Sequence, residues 1–289
     1  MAEELKTKGK IPDGFWVFMS SVLFAFGGLL FKIITWDALA ISSARSILAG
    51  AAILIFLLCR KHHFTLNRHV ILAALSISAT NTLYAMANKL TTAGNTIVLQ
   101  FTMPVFVIVI MAVFFHKRPG KMECIVCLLV LAGILCFFID SLTAGTMTGN
   151  LLALASGITY ACFFIFNSME DSEPFTAILL SYGITALIGL PSLLQTDIAA
   201  SPAGVIPAVL ALGLIQQAAA QLCFATGIRG TGAVAAGLIS GLEPILNPVL
   251  VAVFAGEMLT PLSLLGAAIV VITVVIYDLL SNRKKQHAI

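Results

Sequence analysis

Glu243 is the residue of this chain best placed to do chemistry. It opens the stretch EPILNPVLVAVFAGE (243–257), where two acids, an asparagine and two prolines stand among apolar residues. A charged side chain at the centre of a bilayer costs roughly 2.5–3.5 kcal/mol on insertion scales, so an intramembrane acid marks a function or has a partner. The chemistry open to a lone carboxyl here is reversible binding of a proton, an amine or a cation. A structural reading stands beside it, in which the carboxyl is protonated or bonded to backbone freed at Pro244 or Pro248. Ser240, Glu243 and Asn247 share one helix face at spacing i, i+3, i+7. Three further polar faces resemble it: Thr96 with Gln100; Asn81, Tyr84 and Asn88; and Gln217, Gln221 and Phe224. The amides either hydrogen-bond a solute or bind helix to helix. Tyr84, Tyr160 and Phe224 either border an organic solute or pack helices. Arg45, beside Ser42, Ser43 and Ser46, either attracts a substrate carboxylate or is structural, snorkelling outward or pairing with Asp37 or Glu257. Lys32 reads as an interfacial anchor.

The elements that carry these residues follow from hydropathy. Of 289 residues, 60% are hydrophobic and 10% charged, and the mean hydropathy is +1.04. Soluble domains hold about 45–50% apolar and about 25% charged residues, so lipid is the solvent this composition requires. A crossing helix takes about 20 mostly apolar residues. Ten such runs are read at 15–34, 39–59, 70–88, 94–115, 121–140, 149–169, 176–194, 205–227, 232–255 and 261–281. None alternates as a membrane β-strand does. The first run follows fourteen polar residues and lacks a cleavage site, so it is expected to be retained, with Trp16 and Trp36 as interfacial anchors. Prolines 104, 244 and 248 each remove a backbone donor inside a run and predict helix breaks, which belong where protein or water lines the helix.

No zinc-protease HExxH, phosphate-binding Walker loop or nucleophile elbow occurs, and the five histidines fall in loops or the tail. The six cysteines lie in or beside the runs, and the lone CxxC at Cys124 and Cys127 reads as packing. No enzyme activity, metal or cofactor is expected. The net charge of +3 includes no basic cluster that suits nucleic acid.

Charge sets the orientation. With the N-terminus inside, thirteen of sixteen Lys and Arg fall on cytoplasmic segments, leaving Lys32 and Lys89 outside and Arg45 within a run. Both termini are then cytoplasmic. The acidic loop MEDSEP (169–174) departs from the pattern. A shift of 140 residues lays PVFVIVIMAVF (104–114) over PILNPVLVAVF (244–254), and YAMANKLTTA (84–93) over FATGIRGTGA (224–233). Five spans plus five then make an inverted repeat, because an odd number turns the second half over. Inverted repeats are a plan of secondary transporters, with the site near the midplane where helices are interrupted. Glu243 lies roughly 17 Å along its span at 1.5 Å per residue, near the bilayer centre.

LISGLEPILNPVLVAVFAGEMLTPLSLLGAAIVVITVVI (238–276) resembles the second repeat of the EamA-type branch of the drug/metabolite transporter superfamily. The carriers are Leu242-Glu243-Pro244, Gly256-Glu257 and Leu265-Gly266. FAFGGLLFK (24–32) and SSARSILAG (42–50) resemble its first two spans, with Lys32 and Arg45 in place. His116-Lys117-Arg118 stands where the second repeat has Gly256-Glu257, and Phe26-Gly27 where members often show Trp-Gly. The resemblance implies an all-α membrane bundle, an inverted 5+5 repeat about a central cavity, and alternating access. Members carry amino acids, nucleobases, sugars and other metabolites, often outward. The expected layout is a cytoplasmic segment 1–14, repeats at 15–140 and 149–281, and a cytoplasmic tail 282–289. The expected function is plasma-membrane export or exchange of a small metabolite, amino acids first, with Glu243 as the proton-coupling candidate. A membrane enzyme on a lipid-linked substrate and a non-transporting scaffold are the alternatives.

Overall fold

The computed structural model describes residues 13–116, 120–144, 147–167, 169, 171–231, 243–256 and 260–286. Its helices are α1 (Asp13–Ala25), α2 (Gly27–Ile33), α3 (Ala38–Cys59), α4 (Arg68–Leu90), α5 (Ala93–Gln100), α6 (Met103–Phe114) and α7 (Lys121–Ala144). There follow α8 (Met147–Asn167), α9 (Pro174–Gln195), α10 (Val205–Leu210), a π-helical stretch (Ala211–Ala219), α11 (Ala220–Thr231), α12 (Glu243–Ala255) and α13 (Pro261–Gln286). The described residues hold no strand. Among the described residues, seven stretches are long and apolar enough to cross a membrane: Gly14–Ile33, Ala38–Cys59, Arg68–Leu90, Ala93–Phe114, Met147–Phe166, Pro174–Gln195 and Val205–Phe224. Leu128, Leu135, Leu187, Leu194 and Val253 stand outward and exposed, as a lipid solvent allows and water does not.

Side chains mark the helix starts. Asp37 caps α3 through Leu39 N–H, Asn67 caps α4 through Val70 N–H, and Thr92 caps α5 through Asn95 N–H. Glu173 caps α9 through the N–H groups of Phe175 and Thr176, with Pro174 in the first turn. The run at 94–115 is broken: α5 stops at Gln100, Phe101 and Thr102 turn, and α6 restarts with Pro104 in its first turn. Pro244 lies likewise in the first turn of α12, which opens at Glu243. The break expected at Pro248 is not made. The helix α12 passes through that residue, because a proline there costs the bond to the residue 4 before it and the rest of the helix survives the loss.

The broadest packing joins α4 to α8, α3 to α9, α1 to α11 and α7 to α13. The end of the bundle near residues 32–37 and 89–95 is tied by polar bonds. Lys32 Nζ donates to the Thr91 carbonyl at 2.9 Å, and Lys89 Nζ donates to the Ile34 carbonyl. Each lysine thus meets the negative C-terminal end of the other's helix, a tighter role for Lys32 than interfacial anchoring. Asn150 Oδ1 accepts from Thr91 at 2.8 Å and from Asn95 at 3.3 Å. Trp36, expected as an interfacial anchor, is buried and donates to Ser201 at 2.8 Å. At the other end, His62 approaches Glu173 at 3.2 Å and His69 meets Asp171. Burial pushes the Glu173 carboxyl up, but bonds from Thr176, His62 and Phe175 outweigh it and leave the pKa below the usual value. The His69 bond likewise holds Asp171 low.

Candidate functional site

Seven elements send polar or aromatic side chains to one buried region of the bundle. From α3 comes Arg45, only 3% exposed. Its guanidinium donates to the Asn81 carbonyl and to Asn81 Oδ1, both at 3.2 Å, and to Gln217 Oε1 at 3.4 Å. Its carbon lies 5.0 Å from the centroid of the Phe31 ring, a cation–π contact. Gln217 in turn donates to the Tyr182 hydroxyl at 3.0 Å. Phe31 meets Tyr84 edge-on at 6.0 Å between centroids. Arg45 therefore neither snorkels nor pairs with Asp37, whose carboxylate accepts from Ser192 at 2.8 Å and from Leu39 N–H. Burial pushes Asp37 up, and these bonds bring it below its ordinary value. Glu257 lies outside the described residues.

Tyr84 sits at the centre of the group. Both Arg45 and Glu243 lie within Coulombic reach of it, with the side chains of Asn88 and Asn247 near its hydroxyl. Glu243 is also within reach of Tyr160. It is half-buried and lies in the first turn of α12, where the helix dipole favours a negative charge. One turn on, Asn247 is fully buried; its amide lies beside the Tyr84 hydroxyl, yet neither amide atom meets that hydroxyl or any other described group in hydrogen-bond geometry. Asn88 Oδ1 and Gln216 Oε1 are in the same condition. Buried polar groups without partners are uncommon and each calls for an explanation.

Glycines bring α2 this close. A Cβ on Gly28 would stand 2.6 Å from Asn247 Oδ1, and one on Gly27 would stand 2.9 Å from Gln216 Nε2. The lack of a Cβ at these two positions is what the backbone approach needs.

The other sequence candidates fall as follows. Gln100 is bonded across to Ser156 at 3.3 Å, joining α5 to α8. Gln221 and Phe224 are half-buried, one and two turns beyond Gln217. Tyr160 stacks on Phe163 at 6.2 Å and meets Phe164 edge-on at 5.0 Å. Ser240 lies outside the described residues. Three members of the group were absent from the sequence reading: Phe31, Tyr182 and Gln216. The π-helical stretch accounts for Gln216. Its wider turn alters the face that regular helical spacing from Gln217 defines, and such segments occur often at functional sites. A surface cavity of about 370 Å³ lies apart from this group, where Phe56, Arg60, His62, Phe175 and Leu222 meet.

A buried polar centre within a lipid-facing helical bundle is the arrangement of a multi-pass membrane transporter. Known proteins agree on the class. The sequence profile of the EamA-like transporter family matches this chain twice, over residues 14–139 and 147–277, and the chain belongs to that family. It is similar to the uncharacterised transporter YwfM of Bacillus subtilis strain 168, 29% identical over 256 residues that cover 86% of each chain. A crystal structure of another protein, 15% identical, shares the fold with a TM-score of 0.64 over 92% of this chain and 96% of that one. The protein is thus a membrane transporter, with the bilayer and a small-molecule substrate as its partners.

Proposed function

We propose that the protein is a secondary transporter of the plasma membrane that exports or exchanges amino acids or related compounds by alternating access. Its spans form an inverted 5+5 repeat with both termini in the cytoplasm, and Glu243 binds either the solute ammonium or a coupling proton. The observation that carries this reading is the group around Tyr84. A carboxyl in the first turn of a helix lies within reach of it, and beside its hydroxyl stand the fully buried amide of Asn247 and the Asn88 oxygen, neither in hydrogen-bond geometry with a described group. Such groups suit a polar solute, and a merely structural core would have paired them.

Several features support two exchanged halves. The family profile matches twice. Moving each span by five turns the contact of α4 with α8 into that of α11 with α1, and maps α3–α9 and α7–α13 onto themselves. The repeat mates Met103 and Glu243 both open helices, and the mates His116 and Gly256 both have positive φ, 54° and 67°. Discontinuous helices whose N-termini meet a substrate are the recurrent site of such transporters. In the proposed orientation the outer end is knitted by Lys32, Lys89, Asn150 and Trp36. The cavity beside Arg60 and His62 then lies at the inner end.

Purified protein in proteoliposomes tests the reading. Wild type is expected to show amino-acid counterflow that responds to a pH gradient, and Glu243→Gln to lose most of that flux and its pH response. Unchanged transport in the variant would remove Glu243 from the mechanism.

A further inference from the structure

Arg45 is buried, and the described residues hold no counter-ion for it. Among the described residues no carboxylate lies within 4.0 Å of it, and its hydrogen-bonded partners, Asn81 and Gln217, are neutral. A guanidinium has five N–H donors in a planar fork. Three bonds are made, all between 3.2 and 3.4 Å, longer than the 2.7–2.9 Å of charge-assisted bonds. Burying a single uncompensated ion is strongly unfavourable, and proteins retain one when something else supplies the opposite charge. Phe31 covers the guanidinium, and Tyr182 fixes Gln217 from behind. The cation is therefore pre-positioned rather than loose.

The opposite charge nearest in function is Glu243, but it does not reach Arg45. Tyr84 is within Coulombic range of both. A cation and a carboxyl each within reach of one phenol, with the Asn88 oxygen and both Asn247 amide atoms out of hydrogen-bond geometry beside it, make a site with two electrostatic ends. Resting on the amino-acid reading above, we infer that Arg45 is the anchor for the substrate's carboxylate, so that every transported solute carries a carboxylate group. The free N–H donors receive the carboxylate side-on, while the opposite end of the solute faces Glu243. The substrate itself supplies the counter-ion.

The test uses the full chain in proteoliposomes and in detergent. The probes are common L-amino acids, each with its carboxamide, its decarboxylated amine and its deaminated acid. For a transported amino acid, the deaminated acid is expected to compete measurably, while the carboxamide and the amine compete at least about 30-fold more weakly, a loss in the range seen when one partner of a buried charge pair is removed. Arg45→Lys keeps the charge but loses the fork. It is expected to weaken competition by the parent amino acid by about 10-fold or more while its unfolding temperature stays near that of wild type. A carboxamide that competes as well as its parent would overturn the anchor and leave the transport reading intact. So would an Arg45→Lys protein that melts early yet binds with wild-type affinity, since Arg45 would then serve only the fold. Absence of counterflow or thermal stabilisation with every probe would overturn both readings.

Discussion

Gly28→Ala bears on the packing of the candidate site more sharply than any other small change. The added Cβ would stand 2.6 Å from Asn247 Oδ1, 2.9 Å from Asn247 Nδ2 and 2.9 Å from the Ala93 Cβ. An ordinary contact begins near 3.4 Å, so Asn247 must withdraw by about 0.8 Å. It has nowhere to go, since it is fully buried, and Ala93 is fixed to its backbone. Overpacking of this kind costs about 1–3 kcal/mol, partly offset by the roughly 0.8–1 kcal/mol that alanine gains over glycine in a helix. The net is a loss of about 0–2 kcal/mol, and transport suffers because the displaced amide belongs to the candidate site. Three other glycines calibrate the argument. Gly183 meets nothing within 4 Å, Gly27 meets the far end of the flexible Gln216 side chain, and Gly189 meets the Leu39 carbonyl at 2.2 Å. Thermal unfolding in detergent should rank the alanine variants Gly183, Gly27, Gly28, Gly189 from most to least stable, with Gly183→Ala at or above wild type. Counterflow should fall in Gly28→Ala beyond what its stability explains. A Gly28→Ala protein as stable and active as Gly183→Ala would refute the close approach of α2 to α12.

Two further outcomes follow from the polar ties at the bundle's ends. Glu173 and Asp171 have folded-state pKa values held below their ordinary ones, so their stabilisation is present above the unfolded carboxylate range and is lost as pH falls through the folded values. Unfolding temperature should drop below about pH 4, and less steeply in Glu173→Gln, when measured across pH by a detergent thermal melt. Asn150→Leu deprives Thr91 and Asn95 of an acceptor and should destabilise by about 1–3 kcal/mol, read in the same melt.

Hydropathy made the helical membrane fold legible, and the matched prolines made the interruption before Pro104 legible too. The break occurs where the proline removes a donor, and Glu243 opens a helix at the equivalent place. The polar residues were legible as types, since amides and an acid stand out in apolar runs. Their partners were not. On a helix that is apolar nearly all round, periodicity cannot separate the face that meets another helix from the face that meets lipid. Gln100 therefore stays open, in the sequence, between solute contact and helix-to-helix tie, and its amide bonds Ser156. Arg45 reads either as a carboxylate contact or as structural, whereas the convergence of Phe31, Asn81 and Gln217 on it takes three other elements to build. Tyr182 carried no signal at all, because a tyrosine in an apolar helix is ordinary until Gln217 reaches its hydroxyl. Gln216 required the π-helical turn, which no residue pattern announces.

Alternating exposure of the buried centre is best tested by thiol labelling at Asn247. With the six native cysteines replaced, an Asn247→Cys protein in oriented membranes is treated with an impermeant thiol reagent from one side and then the other. Modification from both sides, slowed by a transported amino acid, is the predicted result. Labelling from neither side, or from one side regardless of solute, would contradict passage of the solute through this centre.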